Sequence, residues 1–473
     1  MRFEILSEQE VKQVHEASLE ILKRVGIHTA SQKFKEILLD NGCKEQGERI
    51  VFTDDVIYKG LKTVPATFEL YGRNNSYVLE IGKKKAYCQT CVGTPSMIDL
   101  DTGEKRDTLT KDLEEYTRLA DALEYINIIS PVFPRDVPQE IILTVETATL
   151  LRNTSKPLSI CIESEREMPY IIELLTAVAG SAEALKQKPI ATIPISPLSP
   201  LEYGYDPAEA LIAAVEAGLP LGVEPCPMMG STGPMTLLGT AVQHNAEILA
   251  GVIASQLIKP GSAVTHSSRA TFMDMRSGLG LWAMPELGYA GAIMNQLAQY
   301  ANIPCAPGGY CGASKTTDMQ SGYEHLYNAL LEGLVGSDII GSAGSLDNAL
   351  ISCYAMLVID NELSSVVQRT IKDFEVTEDK LAVNIIAEVI EKKSNFLEHK
   401  HTRKHFRAGE LWLPPLGDRQ TYEKWAVSKE KIEDKARRTA KELIAAHQVI
   451  PLSEEINREF DRIIAYARKI EMK

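Results

Sequence analysis

The sequence predicts an α/β protein built on a (β/α)8 barrel of the TIM type, with helical additions at both ends. Between residues 84 and 350, short apolar runs alternate with helix-like segments. Such alternation is typical of βα units with parallel strands, and eight units are the number that close a barrel. The eight runs are, in order, residues 85–92, 126–133, 157–164, 190–197, 219–227, 262–269, 304–311 and 338–345.

The segments that follow the runs carry helix signals. Thr110 is the expected N-cap of the first helix, because acidic residues follow it, and Asp206 before Pro207 is a second expected N-cap. The predicted helices lie near 110–123, 138–153, 166–185, 206–217, 237–257, 285–301, 318–336 and 354–372. The predicted parts of the chain are an N-terminal helical and mixed region (1–83), the barrel (84–375) and a C-terminal helical extension (376–473).

Composition and charge exclude several classes of protein. The 473 residues carry a net charge of −14, which argues against a nucleic-acid-binding surface. Residues 1–27 lack the pattern of a signal peptide, and no apolar run approaches the roughly 20 residues that cross a bilayer. Eight cysteines in so long a chain are not a disulfide framework. We therefore expect a cytoplasmic protein that binds neither nucleic acid nor a membrane.

Three polar residues at predicted strand ends are candidates for catalysis, since barrels carry their chemistry in the loops after the strands. Glu224 ends the fifth run, where its charge can act on a bound cation. His266 ends the sixth run and is a candidate acid–base group or ligand, with a core histidine as the alternative. Asn348, just after the eighth run, is a candidate hydrogen-bond partner of the substrate.

A buried or mouth-facing arginine can bind a substrate carboxylate with two parallel hydrogen bonds. Arg269, at the end of the sixth run, is the preferred candidate. Arg135, Arg276 and His266 are its rivals. The alternative for each arginine is an ordinary ion pair with a neighbouring Asp or Glu.

Aromatic residues also lie at or near predicted strand ends. Phe133, Tyr205, Tyr310 and Tyr354 are the candidates for substrate binding. Several such rings around one cavity would hold a quaternary ammonium group by cation–π attraction. The alternative for each ring is ordinary packing.

A zinc site at the strand ends is a further possibility that the sequence raises. Its donors would be Cys88, Cys91, Cys226, Cys311 and His266. Cys88 and Cys91 are three residues apart within a strand, so their thiols point to opposite faces. We therefore expect no tightly bound metal.

Four segments together resemble the trimethylamine methyltransferase family: residues 7–27, 93–123, 357–363 and 411–425. The resemblance extends over nearly the whole chain, and its specificity comes from order and coverage. It implies an eight-stranded barrel that moves a methyl group from an amine to Co(I) of a corrinoid (cobalamin) carried by a separate protein.

Founding members of that family use pyrrolysine late in the barrel, and that position falls at residues 348–354 here, where only standard residues stand. The chain therefore resembles the members that demethylate quaternary amines such as glycine betaine, proline betaine, carnitine and γ-butyrobetaine. A quaternary nitrogen leaves as a neutral amine, so the protein needs mainly to bind and orient it.

The resemblance also implies partners. The corrinoid protein is expected to dock over residues 225–234, which are rich in Gly, Pro and Met. A homo-oligomer is expected, with contacts through the C-terminal helices or residues 411–419. Two alternatives stay open: a zinc-dependent methyltransferase or hydrolase on the same barrel, and a non-catalytic betaine-binding protein.

Overall fold

The structure is a computed structural model that describes residues 3–75, 77–162, 164–283 and 285–472. The strands are β1 (His28–Thr29), β2 (Lys44–Gln46), β3 (Arg49–Val51), β4 (Phe68–Tyr71), β5 (Val78–Ile81), β6 (Tyr87–Thr90), β7 (Ser96–Ile98), β8 (Lys105–Asp107), β9 (Ile126–Ile128), β10 (Leu158–Ser159), β11 (Ala191–Ile195), β12 (Glu202–Tyr203), β13 (Leu221–Val223), β14 (Met228–Met229), β15 (Val264–His266), β16 (Thr271–Met273), β17 (Gly280–Leu281), β18 (Ile339–Ala343), β19 (Ser345–Leu346) and β20 (Ile351–Cys353).

The α-helices are α1 (Glu8–Arg24), α2 (Gln32–Asp40), α3 (Asp54–Thr63), α4 (Thr110–Ala122), α5 (Ile142–Asn153), α6 (Met168–Ala179), α7 (Ala182–Gln187), α8 (Tyr205–Ala217), α9 (Leu237–Ile258), α10 (Pro285–Tyr300), α11 (Met319–Val335), α12 (Tyr354–Ile371), α13 (Glu378–Leu381), α14 (Val383–Glu391), α15 (Lys400–Arg407), α16 (Tyr422–Ser428), α17 (Ile432–Ala446) and α18 (Glu454–Glu471). Short 3₁₀ turns at Gln139–Ile141 and Glu165–Glu167 precede α5 and α6.

Seven of the eight predicted runs contain a strand, namely β6, β9, β10, β11, β13, β15 and β18. The seventh run, 304–311, contributes isolated parallel bridges instead: Cys305 pairs with His266, and Gly308 pairs with Gly341. The reason lies in its sequence. Pro304 and Pro307 have no N–H to donate to a ladder, so regular pairing is interrupted there.

The strands of the predicted runs form two parallel ladders, β18–β6–β9 and β10–β11–β13–β15. An isolated parallel bridge between Ile129 and Leu158 joins the end of β9 to β10. The predicted α/β class is confirmed, and the fold is mixed α/β. Within the described residues, however, the regular ladders fall into separate sheets and do not form one closed barrel.

The predicted helices are present, although the two expected N-caps are wrong. The N-cap of α4 is Leu109, and Thr110 is already helical, with its N and Oγ1 bonded to Asp136 Oδ1. The N-cap of α8 is Gly204. Asp206 instead accepts a hydrogen bond from Glu165 N, at 3.0 Å. Its carboxylate therefore makes a tertiary contact and does not cap α8.

The terminal regions pack on the helices that cover the parallel strands. At the N-terminal end α1 contacts α9 and α10, and at the C-terminal end α17 contacts α4 and α12 while α18 contacts α6. Residues 372–431, all of them described, are much more exposed: Val389 and Leu416 are their buried apolar side chains. In the described part of the chain, no helix is long and apolar enough to span a bilayer. The division at residues 83 and 375 stays a prediction.

Candidate functional site

A buried ion pair lies where two neighbouring parallel strands end. Glu224 directly follows β13, and Arg269 lies just beyond β15, which pairs with β13. Glu224 Oε2 is 2.8 Å from Arg269 Nη2, and the two side chains are 6% and 11% exposed. Burial raises the pKa of Glu224, and the charge of Arg269 lowers it. Because the carboxyl ends of parallel strands meet at one edge, the sequence places the two charges together.

Backbone carbonyls fix the guanidinium of Arg269 in place. Its Nη1 donates to the carbonyl of Ala306 at 2.6 Å and to that of Ser268 at 3.0 Å. A Cβ added to Gly341 would lie 3.3 Å from Nη2, and one added to Gly308 would lie 3.4 Å from Cδ. Arg269 therefore lies across the ends of the seventh and eighth runs, where glycines leave the space for it.

A second buried acid, Glu332 of α11, approaches the same group of strand ends. Burial raises its pKa to about 8, and Arg269 lowers it. A Cβ on Gly309 would lie 2.5 Å from Glu332 Oε2, and the described residues provide no hydrogen-bond partner for that oxygen. The carboxyl of Glu332 therefore lies between a helix and the seventh run, in surroundings that favour its protonated form.

The interior between the two ladders is polar. Gln89 of β6 donates from Nε2 to the hydroxyls of Ser130 and Ser159, each at 3.2 Å. The three residues belong to β6, to the chain just after β9, and to β10. One amide therefore connects three successive parallel segments from the inside. Sequence reasoning missed Gln89; its signal was a polar residue within an apolar run.

His266 faces the helices and not the ion pair. Its Nε2 lies 3.0 Å from Asn245 Oδ1 on α9, and burial lowers its pKa to about 3. The neighbouring hydroxyls of Thr265 and Ser267 are 3.0 Å apart. Since side chains alternate along a strand, these two hydroxyls take one face and His266 takes the other.

Tyr310 and Tyr354, two of the predicted aromatic residues, also lie among helices. Tyr310 is fully buried, and burial raises its pKa well above 10.0, with Asp360 of α12 among the charges near it. The hydroxyl of Tyr354 donates to Asp112 Oδ1 at 3.1 Å, which joins α12 to α4. Asp112 in turn is paired with Arg106 at 2.6 Å.

The remaining predicted residues have varied surroundings. Phe133 is partly buried against the main core. Tyr205 is 51% exposed and lines an acidic cavity of about 360 Å³ with Glu165 and Asp206. Asn348 accepts a hydrogen bond from Trp282 N at 3.1 Å. The rival arginines, Arg135 and Arg276, are exposed. The structure therefore brings Glu224 and Arg269 together, whereas the predicted aromatic residues lie in different surroundings.

The donors of the zinc alternative do not cluster. Across the described ranges, the one group of three or more His, Cys, Asp or Glu with donor atoms all within 4.8 Å of one another is Asp379, His401 and His405. Burial raises the pKa of the Cys91 thiol to about 11 and also raises that of Cys311, whereas Cys226 is exposed. The strand-end thiols are therefore dispersed and differ in their surroundings.

A mixed α/β fold with buried charges at the carboxyl ends of parallel strands is typical of α/β enzymes. Comparison with known proteins gives the family. The model of the trimethylamine methyltransferase (MTTB) family matches residues 1–473. The chain belongs to this family and is a methyltransferase, which confirms the resemblance in its sequence.

Relatives agree with that assignment, and one solved structure shares the fold. Glycine betaine methyltransferase of Desulfitobacterium hafniense (strain Y51) is 31% identical over 473 residues, 99% of this chain and 98% of that protein. Trimethylamine methyltransferase MttB of Methanosarcina thermophila is 32% identical, over 96% of this chain and 95% of that protein. The crystal structure of the Methanosarcina barkeri monomethylamine methyltransferase aligns with a TM-score of 0.56 at 13% identity, over 95% of this chain and 89% of that one.

Proposed function

We propose that this methyltransferase removes a methyl group from a betaine-type quaternary amine and passes it to Co(I) of a corrinoid carried by a partner protein. Two observations support a quaternary amine. A relative that is 31% identical is named glycine betaine methyltransferase. Only standard residues occupy positions 348–354, where the family resemblance places pyrrolysine.

The Glu224–Arg269 pair carries the proposal of a betaine. A betaine has a fixed positive charge on nitrogen and a negative carboxylate, with no net charge. The buried pair offers the complementary arrangement, a carboxylate 2.8 Å from a guanidinium, also with no net charge. Glu224 attracts the ammonium end, and Arg269 donates hydrogen bonds to the carboxylate from its planar guanidinium.

The reaction asks little acid–base chemistry of the chain. When the N–CH₃ bond breaks, its electron pair stays on nitrogen, so the product amine leaves neutral and takes no proton from the protein. The partner's corrinoid supplies the nucleophile. The side chains of this protein bind the two charged ends, keep water out and aim one methyl carbon.

The chain provides an apolar surface for the corrinoid protein next to this site. β14, β16 and β17 form a small sheet directly beyond the ends of β13 and β15. Around it, Met235, Leu238, Met275 and Leu279 are exposed. A Cβ on Gly230 would lie 2.9 Å from the sulfur of Met235 and 3.3 Å from that of Met275, so the two methionines meet at one turn. Adaptable apolar side chains of this kind suit a docking surface.

We also propose that the two parallel ladders belong to one ring of eight segments, open to the corrinoid at its carboxyl end. Three isolated parallel bridges support this: Ile129 with Leu158, His266 with Cys305, and Gly308 with Gly341. We further propose that the protein is cytoplasmic and that it forms a homo-oligomer.

One spectrophotometric assay tests the substrate class. The protein is mixed with Co(I) cobalamin and each of a panel of amines, and formation of methylcobalamin is followed by absorbance. We expect turnover with glycine betaine, proline betaine, carnitine or γ-butyrobetaine, and much less with choline or tetramethylammonium, which lack the carboxylate. Equal rates with and without the carboxylate would contradict the role of Arg269. Tight betaine binding without methylcobalamin would favour the non-catalytic alternative.

A second experiment tests docking. Met275→Glu is expected to lower turnover with the corrinoid protein while leaving turnover with free cobalamin unchanged. Met472→Glu, an exposed methionine near the C-terminal end, is the matched control. Equal losses in the two variants, or a loss with free cobalamin, would remove this surface from the proposal.

A further inference from the structure

The exposed C-terminal segment carries a cluster of metal-ligand side chains that the methyl-transfer proposal does not use. Asp379 lies in α13, and His401 and His405 lie in α15. One donor atom from each lies within 4.8 Å of the other two. His401 and His405 are one helical turn apart, and their ring centroids are 4.2 Å apart, so the two imidazoles project from one face of α15.

The two ring nitrogens converge on Asp379. His405 Nε2 lies 2.9 Å from Asp379 Oδ2, and His401 Nε2 lies 2.9 Å from the backbone carbonyl of Asp379. Lys404 Nζ lies 2.7 Å from the same Oδ2. The carboxylate of Asp379 therefore already pairs with one cation, the ammonium group of Lys404.

Further polar groups lie beside the histidines. Glu410 Oε2 lies 4.0 Å from His405 Nδ1, the ring nitrogen that points away from Asp379. A carboxylate on the far nitrogen is the usual partner of a metal-binding imidazole. At the start of α15, His399 Nδ1 accepts a hydrogen bond from His401 N at 3.1 Å, which fixes the first turn that carries His401.

We propose that Asp379, His401 and His405 bind one divalent transition-metal cation of the zinc type, through two imidazole nitrogens and one carboxylate oxygen. Two nitrogens and an oxygen suit Zn²⁺, Co²⁺ or Ni²⁺. Lys404 occupies the carboxylate in the absence of the ion and is displaced when the ion binds. The sequence signal is the pair of histidines four residues apart at 401 and 405, which lies outside the predicted strand ends.

The ion would hold together a part of the chain that has little core. Residues 372–431 bury two apolar side chains, and α13 has four residues. An ion bound by Asp379 and the two histidines would join α13 to α15, which α14 separates in the sequence. The ion therefore stabilises residues 372–431 locally and leaves the Glu224–Arg269 site unchanged.

Titration of the full-length protein with Co²⁺ tests the site, with the ligand-field absorbance as the readout and Zn²⁺ as competitor. We expect one site per chain with a nitrogen–oxygen spectrum. His401→Ala and His405→Ala should each weaken binding by roughly tenfold or more, and Asp379→Asn should do so without disturbing the shape of the side chain. His28→Ala is the matched control, because His28 also contacts a carboxylate, that of Glu202 at 2.6 Å. Lys404→Gln should strengthen binding severalfold, since it removes the competing cation.

Protection from limited proteolysis gives a second measurement. Zn²⁺ is expected to slow cleavage within residues 372–431 of the wild-type chain and to have no effect on the His405→Ala variant. The proposal is overturned if His401→Ala, His405→Ala and His28→Ala bind Co²⁺ equally. It is also overturned if a thiolate charge-transfer band shows that cysteines hold the ion, or if wild type and Lys404→Gln both fail to bind.

Discussion

Arg269 Nη2 lies 2.8 Å from Glu224 Oε2, and this largely buried contact joins the carboxyl ends of β15 and β13. A charge removed from such a pair leaves its partner buried and unpaired, which costs more than the pair contributes. The relationship therefore controls both the stability of the strand ends and the charge that a substrate meets.

Glu224→Gln is expected to lower the free energy of unfolding by about 3–5 kcal/mol, because it leaves the buried guanidinium of Arg269 without its charged partner. The double variant Glu224→Leu, Arg269→Met removes both charges and should recover most of that loss. Neither variant should methylate cobalamin from a betaine. Urea denaturation followed by circular dichroism measures the stabilities. A double variant no more stable than Glu224→Gln would show that the two side chains are not energetically coupled.

Two adjacent glycines of the seventh run differ in the space around them. A Cβ on Gly309 would lie 2.5 Å from Glu332 Oε2 and 2.6 Å from Ile340 Cγ2, so Gly309→Ala overpacks the layer between the strand and α11. We expect a loss of about 1–3 kcal/mol. Thermal unfolding monitored by calorimetry measures it.

Gly308→Ala is the matched control for that variant. Its added Cβ would meet Ser342 Oγ at 3.3 Å and Arg269 Cδ at 3.4 Å, distances that small movements relieve. It should therefore unfold closer to the wild-type temperature. If Gly308→Ala is the less stable of the two, the side of the seventh run that faces α11 has been assigned wrongly.

The sequence predicts the positions of the strands well, but it predicts poorly which face of a strand each side chain occupies. Apolar runs and helix periodicity locate β13 and β15, and the position of Glu224 and Arg269 at their ends follows from parallel topology. The face taken by His266 depends on strand register, which a three-residue strand does not reveal. Run 304–311 is apolar but forms no regular strand, because its two prolines have no N–H to donate.

Pairs that join distant helices were missed for a different reason. His325 of α11 and Asp360 of α12 are both fully buried, with Nδ1 2.9 Å from Oδ1. Asp360 Oδ2 also accepts a hydrogen bond from Gly344 N at 2.6 Å. Such a pair is specified only by how two helices pack, and no local pattern in the sequence identifies its partner.

The raised pKa of Glu332 predicts that the stability of the protein depends on pH. Its pKa is raised by burial from 4.5 to about 8, so between these values the folded protein keeps a proton that the unfolded chain has lost. Stability should therefore fall as the pH rises from about 5 to 8, with Glu332 contributing on the order of a few kcal/mol. Glu332→Gln should flatten this fall. Denaturation of both proteins at a series of pH values checks it.

An exposed acid provides the comparison for Glu332. Glu16 is 61% exposed on α1, and Glu16→Gln is expected to follow the wild-type pH profile. A Glu332→Gln variant whose stability falls as steeply as wild type between pH 5 and 8 would mean that Glu332 is ionised in the folded protein.

Lys156 makes three hydrogen bonds to the end of α4 and the start of β9. Its Nζ donates to the carbonyls of Ala120, Leu123 and Ile126, at 2.9, 2.6 and 2.6 Å. Lys156→Met keeps the unbranched side chain without its terminal nitrogen and leaves all three carbonyls without this donor. We expect it to lower the free energy of unfolding by about 2–4 kcal/mol. Lys111→Met, at a lysine that is 78% exposed, should change it little.

The deficit of Lys156→Met should also grow in alkaline solution. Burial lowers the pKa of Lys156 from 10.5 to about 8, so between these values the unfolded chain binds a proton that the folded protein has released. The wild-type protein therefore gains stability relative to the methionine variant as the pH rises from about 8 to 10.5. Urea denaturation of the two proteins at pH 7.5 and pH 10, with Lys111→Met alongside, measures that difference. A deficit that stays constant between pH 7.5 and pH 10 would show that the pKa of Lys156 is the same in the folded and unfolded protein.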